Sequence, residues 1–192
     1  MGDAMILLQP RDERILKLAY EQTFLTSQHL RDLFPATVAG GIEAWRRAHE
    51  LEKSGYLFRQ RSRLPDVKWL YRPTRSGGRL AEGWGCRPIR QPRNVSVVEQ
   101  VHDALVTQVR MRIELLWNAR FIPEKALTEE GYPLLPDGLF AFASGKVVAL
   151  EIENSDKGRT RFLNLARRWD QAPQIVAVLY VASRPALANS IP

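Results

Sequence analysis

Three acidic side chains at the ends of two hydrophobic segments most constrain what this chain can fold into. Asp137 opens one apolar segment, and Glu151 and Glu153 alternate at the end of the next. Residues 144–146, Ser-Gly-Lys, lie between the segments and are typical of a hairpin turn. Because every second residue of a strand shares a face, the three carboxylates should converge at one edge of a sheet. The pattern therefore predicts two paired strands that end in a carboxylate cluster.

Such a cluster is open to three interpretations. Carboxylate oxygens are the ligands that Mg²⁺ or Mn²⁺ would use, so the cluster could bind a divalent metal. Three acids held together without a cation repel each other, and Lys157, Arg159 and Arg161 follow closely enough to supply positive neighbours. In that case the cluster is a structural salt-bridge network. The third interpretation is a solvated end of a strand.

Length and composition bound the class of protein. The 192 residues are enough for two compact units of about 90 to 100 residues each, and 45% apolar with 26% charged residues fits an ordinary globular protein. Cys86 is the single cysteine, which excludes an internal disulfide, and three scattered histidines do not form a zinc motif. No apolar run reaches the roughly 20 residues of a membrane helix, and the N-terminus lacks signal-peptide features. We expect no membrane association and a cytoplasmic location.

The net positive charge is confined to the first half of the chain. Residues 1–95 hold 17 Lys and Arg against 10 Asp and Glu, whereas residues 96–192 hold 11 of each. The whole net charge of +7 therefore lies in the first half. A one-sided basic excess is expected of a module that neutralises phosphates, and the alternative is a generally basic surface without a partner.

The first half has the pattern of three amphipathic helices, at about residues 11–20, 27–34 and 42–54. Thr26 is expected to cap the second helix, and Gly55 is expected to end the third. Four residues of the third helix are expected to face inward: Ile42, Trp45, Ala48 and Leu51.

A basic hairpin is predicted after the third helix, with strands at about 56–63 and 67–72, and Thr74 then caps a short helix at 75–82. Together these elements predict a winged helix-turn-helix, in which the third helix enters the major groove and the wing touches the backbone. Three arginines on one strand face repel each other unless a polyanion answers them. Arg46 and Arg47 are the expected base or phosphate contacts, because arginine can present two donors to guanine or phosphate. The full set of predicted DNA-binding residues is Arg46, Arg47, His49, Arg59, Arg61, Arg63 and Lys68.

The second half has the element order helix, strand, strand, strand, helix, strand, which is the core order of the restriction-endonuclease-like fold. Its long helix is predicted at 97–117, and the last strand, 174–182, is apolar throughout and suited to the middle of a sheet. We thus predict an α+β chain with a winged helix-turn-helix domain at 1–83, a Pro- and Gly-containing linker at 84–95 and a restriction-endonuclease-like α/β domain at 96–192. We also expect part of a larger fold to be missing after the last strand.

Three segments carry a resemblance to a family: His102 to Leu105 in the long helix, Pro136 to Phe140, and Ala149 to Glu153. With the winged helix before them, they resemble the replication-relaxation family of plasmids and other mobile elements. The second half is similar to the PD-(D/E)xK nuclease superfamily. The resemblance spans nearly the whole chain and rests mainly on the order of elements. It implies a DNA-binding accessory or regulatory protein in replication, mobilisation or transfer of a plasmid or integrative conjugative element.

The same resemblance implies partners and site residues. The expected partners are double-stranded DNA, relaxosome or replication proteins, and a second copy of the chain. Asp137 and Glu151 match the metal ligands of the nucleases, but Glu153 occupies the position of their lysine. A glutamate there could still bind a metal or act as a general base. With Lys157, Arg159 and Arg161 as basic neighbours, we expect a catalytically degenerate nuclease-like domain without a cofactor.

Two alternatives remain open at this point. The first is an endonuclease that requires Mg²⁺ or Mn²⁺, with Asp137 and Glu151 as ligands and Glu153 as ligand or general base. The second is a transcriptional regulator whose second domain senses a small ligand.

Overall fold

The computed structural model describes residues 6–34, 38–127, 134–153 and 158–182. The chain divides into two compact units, Met1–Gln108 and Val109–Pro192. Each unit combines helices with a sheet, which confirms the predicted α+β class. The boundary between the units falls inside a long helix, Val97–Trp117, and not within residues 84–95.

The first unit is helical with a small antiparallel sheet. Its sheet has the strand order β1-β3-β2, and β2 and β3 form the predicted hairpin. Helix α1 packs against α3 and α4, and α2 packs against α3. The elements are α1 (Pro10–Glu21), β1 (Leu25–Thr26), α2 (Ser27–Asp32), α3 (Val38–Lys53), β2 (Leu57–Arg61), β3 (Trp69–Pro73), α4 (Arg75–Gly83) and the first half of α5 (Val97–Trp117).

Local signals in the sequence set the ends of these helices. The Thr26 hydroxyl accepts a hydrogen bond from the His29 amide at 3.1 Å, and the Thr74 hydroxyl accepts one from the Gly77 amide at 3.1 Å. Each satisfies an amide that the first helical turn leaves without a partner. Gly55 ends α3 with a φ of 76°, which only glycine adopts without strain. The predicted caps at all three positions are confirmed.

The core of the first unit follows the apolar stripes of the helices. Ile15, Leu30 and Leu51 are fully buried and come from α1, α2 and α3 respectively. Leu70 of the central strand β3 is also fully buried and packs with Phe24. Burial of these side chains is the main driving force for this unit, at roughly 2 kcal/mol each.

Residues 84–95, predicted as a linker from their prolines and glycines, pack along the first unit. Ile89 and Val95 are buried there. The Ile89 amide donates to the Tyr20 hydroxyl at 2.8 Å, and the guanidinium of Arg72 donates to the carbonyls of Pro92 and Arg93. The apolar residues within this segment give it a packing role that its turn residues alone do not indicate.

We expect Gly77→Ala to destabilise the first unit by about 2 to 4 kcal/mol. A β carbon at Gly77 would lie 2.1 Å from the backbone carbonyl oxygen of Tyr56, so α4 could not keep its position. Gly83 is a matched control in the same helix, because no atom lies within 4 Å of the corresponding position. Gly83→Ala should leave the midpoint of urea denaturation unchanged or raise it, since alanine favours helix. Equal midpoints for the two variants would contradict the close approach of α4 to Tyr56.

The second unit contains a four-stranded sheet among its described residues, with the order β4-β5-β6-β7. Strands β4, β5 and β6 are antiparallel neighbours, whereas β7 runs parallel to β6 after a helical crossover. The elements are the second half of α5, β4 (Arg120–Pro123), a 3₁₀ turn (Glu124–Ala126), β5 (Gly138–Ala141), β6 (Val147–Glu153), α6 (Gly158–Trp169) and β7 (Ile175–Ala182).

The expectation that the last strand lies in the middle of the sheet is wrong for the described residues. Strand β7 pairs only with β6 there, and Val176 is 56% exposed. An apolar run is common to central strands and to parallel strands beside a helix, so composition alone did not separate the two.

The two faces of this sheet are filled differently. Leu139 and Ala149 are fully buried on one face, where they cluster with Trp169 of α6. Phe140 lies on the opposite face and stacks edge-on with Phe121 at a centroid distance of 5.1 Å. Ala149, Glu151 and Glu153 occupy alternate positions of β6 and therefore share one face of the sheet. Because Ala149 packs on the α6 face, the two acids lie on that face at the end of β6.

Candidate nucleic-acid interface

The outer face of α3 is more apolar than the sequence suggested. Ile42 is 61% exposed and Trp45 is 44% exposed, so the prediction that they face inward is wrong. Ala44, Ala48 and Leu51 form the buried stripe instead. Ile42 and Trp45 lie on the neighbouring stripe of the helix. Both stripes have apolar residues three or four positions apart, so the pattern alone does not show which stripe is buried.

Trp45 is held in place by two aromatic neighbours. Its ring meets the His49 ring edge-on at a centroid distance of 4.5 Å. His49 in turn contacts Tyr71 of β3, with 3.3 Å between the Tyr71 hydroxyl and His49 Nε2. The chain of three rings connects the outer face of α3 to the hairpin. His49, a predicted DNA contact, is thus partly buried within this connection.

Arg46 is exposed, as the sequence predicted, but it has a partner. Its Nη2 donates to Glu43 Oε1 at 2.7 Å, one turn earlier in α3, and Arg11 pairs with the same carboxylate at 2.9 Å. This ion pair is at the surface and is worth little to stability. Arg46 can therefore exchange Glu43 for another anion at low cost.

Arg47 was expected to be exposed, and the structure instead buries it. Its Nε and Nη2 donate to the two oxygens of Asp12 at 2.8 and 2.7 Å, and Nη2 also donates to the Leu7 carbonyl. Glu50 accepts from the remaining Nη1. The hydrogen bonds to Asp12 raise the pKa of Arg47. Because each nitrogen of the guanidinium already donates a hydrogen bond inside the unit, the prediction of Arg47 as an exposed DNA contact is wrong.

The hairpin carries a cationic face organised around Trp69. The β2–β3 register sets Arg61 opposite Trp69 and Arg59 opposite Tyr71, so these four share one face. The guanidinium carbons of Arg59 and Arg61 lie 5.4 and 5.5 Å from the centre of the Trp69 ring, and Lys68 Nζ lies 5.9 Å from it. An aromatic ring attracts cations at this distance and offsets part of their mutual repulsion.

The remaining charges of the hairpin differ in how far they are neutralised. Arg59 Nε donates to Glu52 Oε1 of α3 at 2.7 Å, so Arg59 joins the hairpin to α3. Arg61, Arg63 and Lys68 are exposed. The repulsion expected among three arginines is thus answered in part by Glu52 and Trp69, two residues that the sequence interpretation did not include.

A buried histidine lies in the first turn of α2. The ring Nδ1 of His29 accepts a hydrogen bond from the Thr26 amide at 3.3 Å, and the side chain is 4% exposed. Burial lowers the pKa of His29 to about 4, against smaller opposing effects of the Ala104 carbonyl and of Asp32.

We expect this histidine to make the first unit less stable in acid. Between pH 6.5 and about 4, His29 binds a proton in the unfolded chain but stays neutral in the folded protein. The free energy of unfolding therefore falls by up to about 3 kcal/mol as the pH is lowered through this range. Above pH 6.5 His29 is neutral in both states and adds no pH dependence. Urea denaturation at pH 7 and pH 4.5 measures the change. His29→Gln should lose this contribution to the change in unfolding free energy between the two pH values. A histidine control, His102→Gln, should keep it. Identical slopes in His29→Gln and the parent protein would contradict the assignment.

The three predicted acids of the second unit lie near one another at the end of β6. The β5–β6 register brings Asp137 beside Glu151, and Asp137 Oδ2 accepts a hydrogen bond from the Ile152 amide at 2.6 Å. Glu153 is 5% exposed, and its Oε2 accepts a hydrogen bond from the Tyr180 hydroxyl at 2.8 Å. Tyr180 is a neighbour that the sequence interpretation missed.

All three acids affect the pKa of Tyr180. Burial and the hydrogen bond to Glu153 raise its pKa, and the charges of Glu151 and Asp137 act in the same direction. The parallel register of β6 and β7 pairs Glu151 with Tyr180, which explains the approach. Only the pairing of β6 with β7, which sets Glu151 opposite a residue 29 positions later in the sequence, could have revealed it.

The acids of the second unit were predicted either to bind a metal or to pair with basic neighbours. Across residues 6–34, 38–127, 134–153 and 158–182, no group of three or more His, Cys, Asp or Glu side chains could hold a metal ion. Lys157 lies outside the described residues, and so do the side chains of Arg159 and Arg161, so the predicted basic neighbours stay a prediction.

Comparisons with known proteins identify no relative of this chain. No protein-family model, no curated protein and no solved structure matches this chain. In the part of the chain that the structure describes, no helix is long and apolar enough to cross a membrane.

Proposed function

We propose that this chain binds double-stranded DNA through its first unit, as an accessory or regulatory protein. The observation that carries the proposal is one continuous surface, made of the outer face of α3 and the cationic face of the β2–β3 hairpin. A hydrogen bond between Tyr71 and His49 and another from Arg59 to Glu52 join the two. We call it the α3–hairpin surface.

The order of elements supports a winged helix-turn-helix. Helices α1, α2 and α3 precede a two-stranded hairpin, and the short β1 completes a three-stranded sheet. In such domains the third helix enters the major groove and the hairpin contacts the phosphate backbone. On this proposal α3 is the recognition helix and β2–β3 is the wing.

The electrostatics of the surface match a phosphate backbone. Arg61, Arg63 and Lys68 expose their charges on the hairpin, and Arg46 exposes its charge on α3. Arg59 contributes less positive charge to the surface, because Glu52 already forms an ion pair with it. The excess of basic residues in the first half extends the attraction beyond these contacts.

We further propose that the second unit is a degenerate nuclease-like scaffold. Its order of helix, three antiparallel strands, helix and parallel strand supports this fold. The resemblance to replication-relaxation proteins then suggests a role in replication, mobilisation or transfer of a mobile element, with relaxosome or replication proteins or a second copy docking there.

Binding of a fluorescent duplex, followed by anisotropy at several salt concentrations, tests the proposal. Each phosphate neutralised by Lys or Arg contributes about −0.9 to the slope of log K against log salt. Four contacts, from Arg46, Arg61, Arg63 and Lys68, therefore give roughly a 100-fold loss of affinity between 50 and 200 mM salt. Absence of duplex binding at 50 mM salt would refute the proposal.

A second candidate function is favoured by the approach of Asp137, Glu151 and Glu153 to one another. A divalent metal held by Asp137 and Glu151, with Glu153 as ligand or general base, would make the unit an endonuclease. Supercoiled plasmid incubated with the protein, with and without Mg²⁺ or Mn²⁺, decides the matter. Nicking that requires metal and disappears in Asp137→Ala would establish the endonuclease; nicking that survives Asp137→Ala is contamination.

A further inference from the structure

Two apolar side chains stand on the outer face of α3 within an otherwise cationic surface. Ile42 is 61% exposed, Trp45 is 44% exposed, and both lie in the first half of the helix. Arg46 follows on the same face, and the hairpin cations adjoin it through His49 and Tyr71. A partner that complements this surface would combine negative charge with apolar groups.

The major groove of DNA meets both conditions. Its phosphates supply the negative charge, and the C5-methyl group of thymine is the apolar group on its base edges. Recognition helices contact base edges with their N-terminal residues. Ile42 and Trp45 are three residues apart, about 4.5 Å along the helix axis, which is close to one base step of about 3.4 Å.

The arginines of α3 are poorly placed to supply the sequence information instead. Asp12 and Glu50 hold Arg47 inside the unit, and Glu43 accepts one donor of Arg46. Trp45, in contrast, is 44% exposed and its ring packs edge-on against His49. The outer face of the helix therefore offers two exposed apolar side chains and one exchangeable arginine.

We propose that Ile42 and Trp45 determine sequence specificity by packing against thymine methyl groups in the major groove. This inference rests on the proposed DNA binding and gives it a base preference. The preferred site should contain thymines at adjacent or nearly adjacent positions under α3. The hairpin then supplies affinity that does not depend on sequence.

Replacement of thymine by uracil tests the inference, because it removes the methyl group and leaves every hydrogen-bonding group in place. A preferred duplex is first selected from a random library with the full-length protein. Each thymine is then replaced singly, and binding is measured by anisotropy. We expect a loss of about fourfold at one or two positions, the value of one buried methyl group. In Ile42→Ala or Trp45→Ala, uracil at the corresponding position should cost nothing further.

Phe58→Ala is the matched control, because Phe58 is an exposed apolar residue on the opposite face of the hairpin. It should retain the penalty for uracil at every position. Should Trp45→Ala fail to fold, the uracil series with the parent protein and with Ile42→Ala remains decisive. Steeply salt-dependent binding with no effect of uracil at any position would overturn the inference alone and assign the apolar pair to a protein partner. Failure to bind any duplex would overturn the proposed function as well.

Discussion

Replacing Arg47 with alanine is expected to lower the free energy of unfolding of the first unit by about 3 to 5 kcal/mol. The substitution leaves the carboxylate of Asp12, which is fully buried, without its bidentate cation. The Gln9 amide still donates to Asp12 at 2.7 Å, which favours the lower end of this range. Hydrogen exchange of the α1 and α3 amides measures the change in this unit separately from the rest of the chain.

Arg46→Ala is the natural control, since Arg46 is the adjacent arginine and its pair with Glu43 is exposed. Its effect on stability should stay within about 0.5 kcal/mol. A double variant, Asp12→Leu with Arg47→Met, should be more stable than either single variant, because no buried charge is left alone. If Arg47→Ala proved as mild as Arg46→Ala, the buried ion pair would not be the element that joins α1 to α3.

Loss of three hairpin cations is expected to weaken duplex binding roughly 100-fold at about 0.1 M salt. In the triple variant Arg61→Ala, Arg63→Ala and Lys68→Ala, three exposed charges of the hairpin are removed while Arg59 keeps its bond to Glu52. Each lost phosphate contact lowers the salt slope by about 0.9, so the slope should fall by nearly 3. Because these contacts touch the backbone, all duplex sequences should lose affinity to a similar extent.

A second triple variant loses the same charge from the second unit: Arg112→Ala, Arg120→Ala and Arg167→Ala, all exposed in the structure. None of the three belongs to the α3–hairpin surface, so their loss should remove no phosphate contact and affinity should change by less than about threefold. Equal losses in the two triple variants would mean that net charge, and not the hairpin, determines binding.

Local chemistry made much of the fold predictable. Thr26, Thr74 and Gly55 act through residues within a few positions of themselves, and their caps follow from side-chain size and hydrogen bonding alone. Helix α5 occupies the predicted range because its apolar spacing is sustained for about five turns. The hairpin of β5 and β6 follows from the turn at Gly145, which has a φ of 81°.

Contacts between distant residues were not predictable from such patterns. The local sequence pattern predicts that Arg47 is exposed. Its burial depends on Asp12, which is 35 positions earlier in the sequence and lies beside it in the fold. Trp69 collects three cations only because the β2–β3 register sets it opposite Arg61. Tyr180 reaches Glu153 through the parallel pairing of β6 and β7.

The misplacement of Trp45 has a different cause. Hydrophobicity predicts burial on average, and Trp45 was assigned to the core on that basis. The stripe of Ala44, Ala48 and Leu51 already fills the space beneath α3, so a large ring one position away remains outside. An exposed large apolar residue is the more informative observation, because folding alone does not explain it.

Hydrogen exchange of the full-length protein, with and without a saturating duplex, tests the central claim most directly. If the α3–hairpin surface binds DNA, protection should appear in α3 and in the hairpin, Leu57–Arg61 and Trp69–Pro73. Amides of the second unit, in β6 and β7, should exchange as they do without DNA. Protection confined to the second unit, or unchanged exchange in α3 and the hairpin under saturation, would contradict the claim.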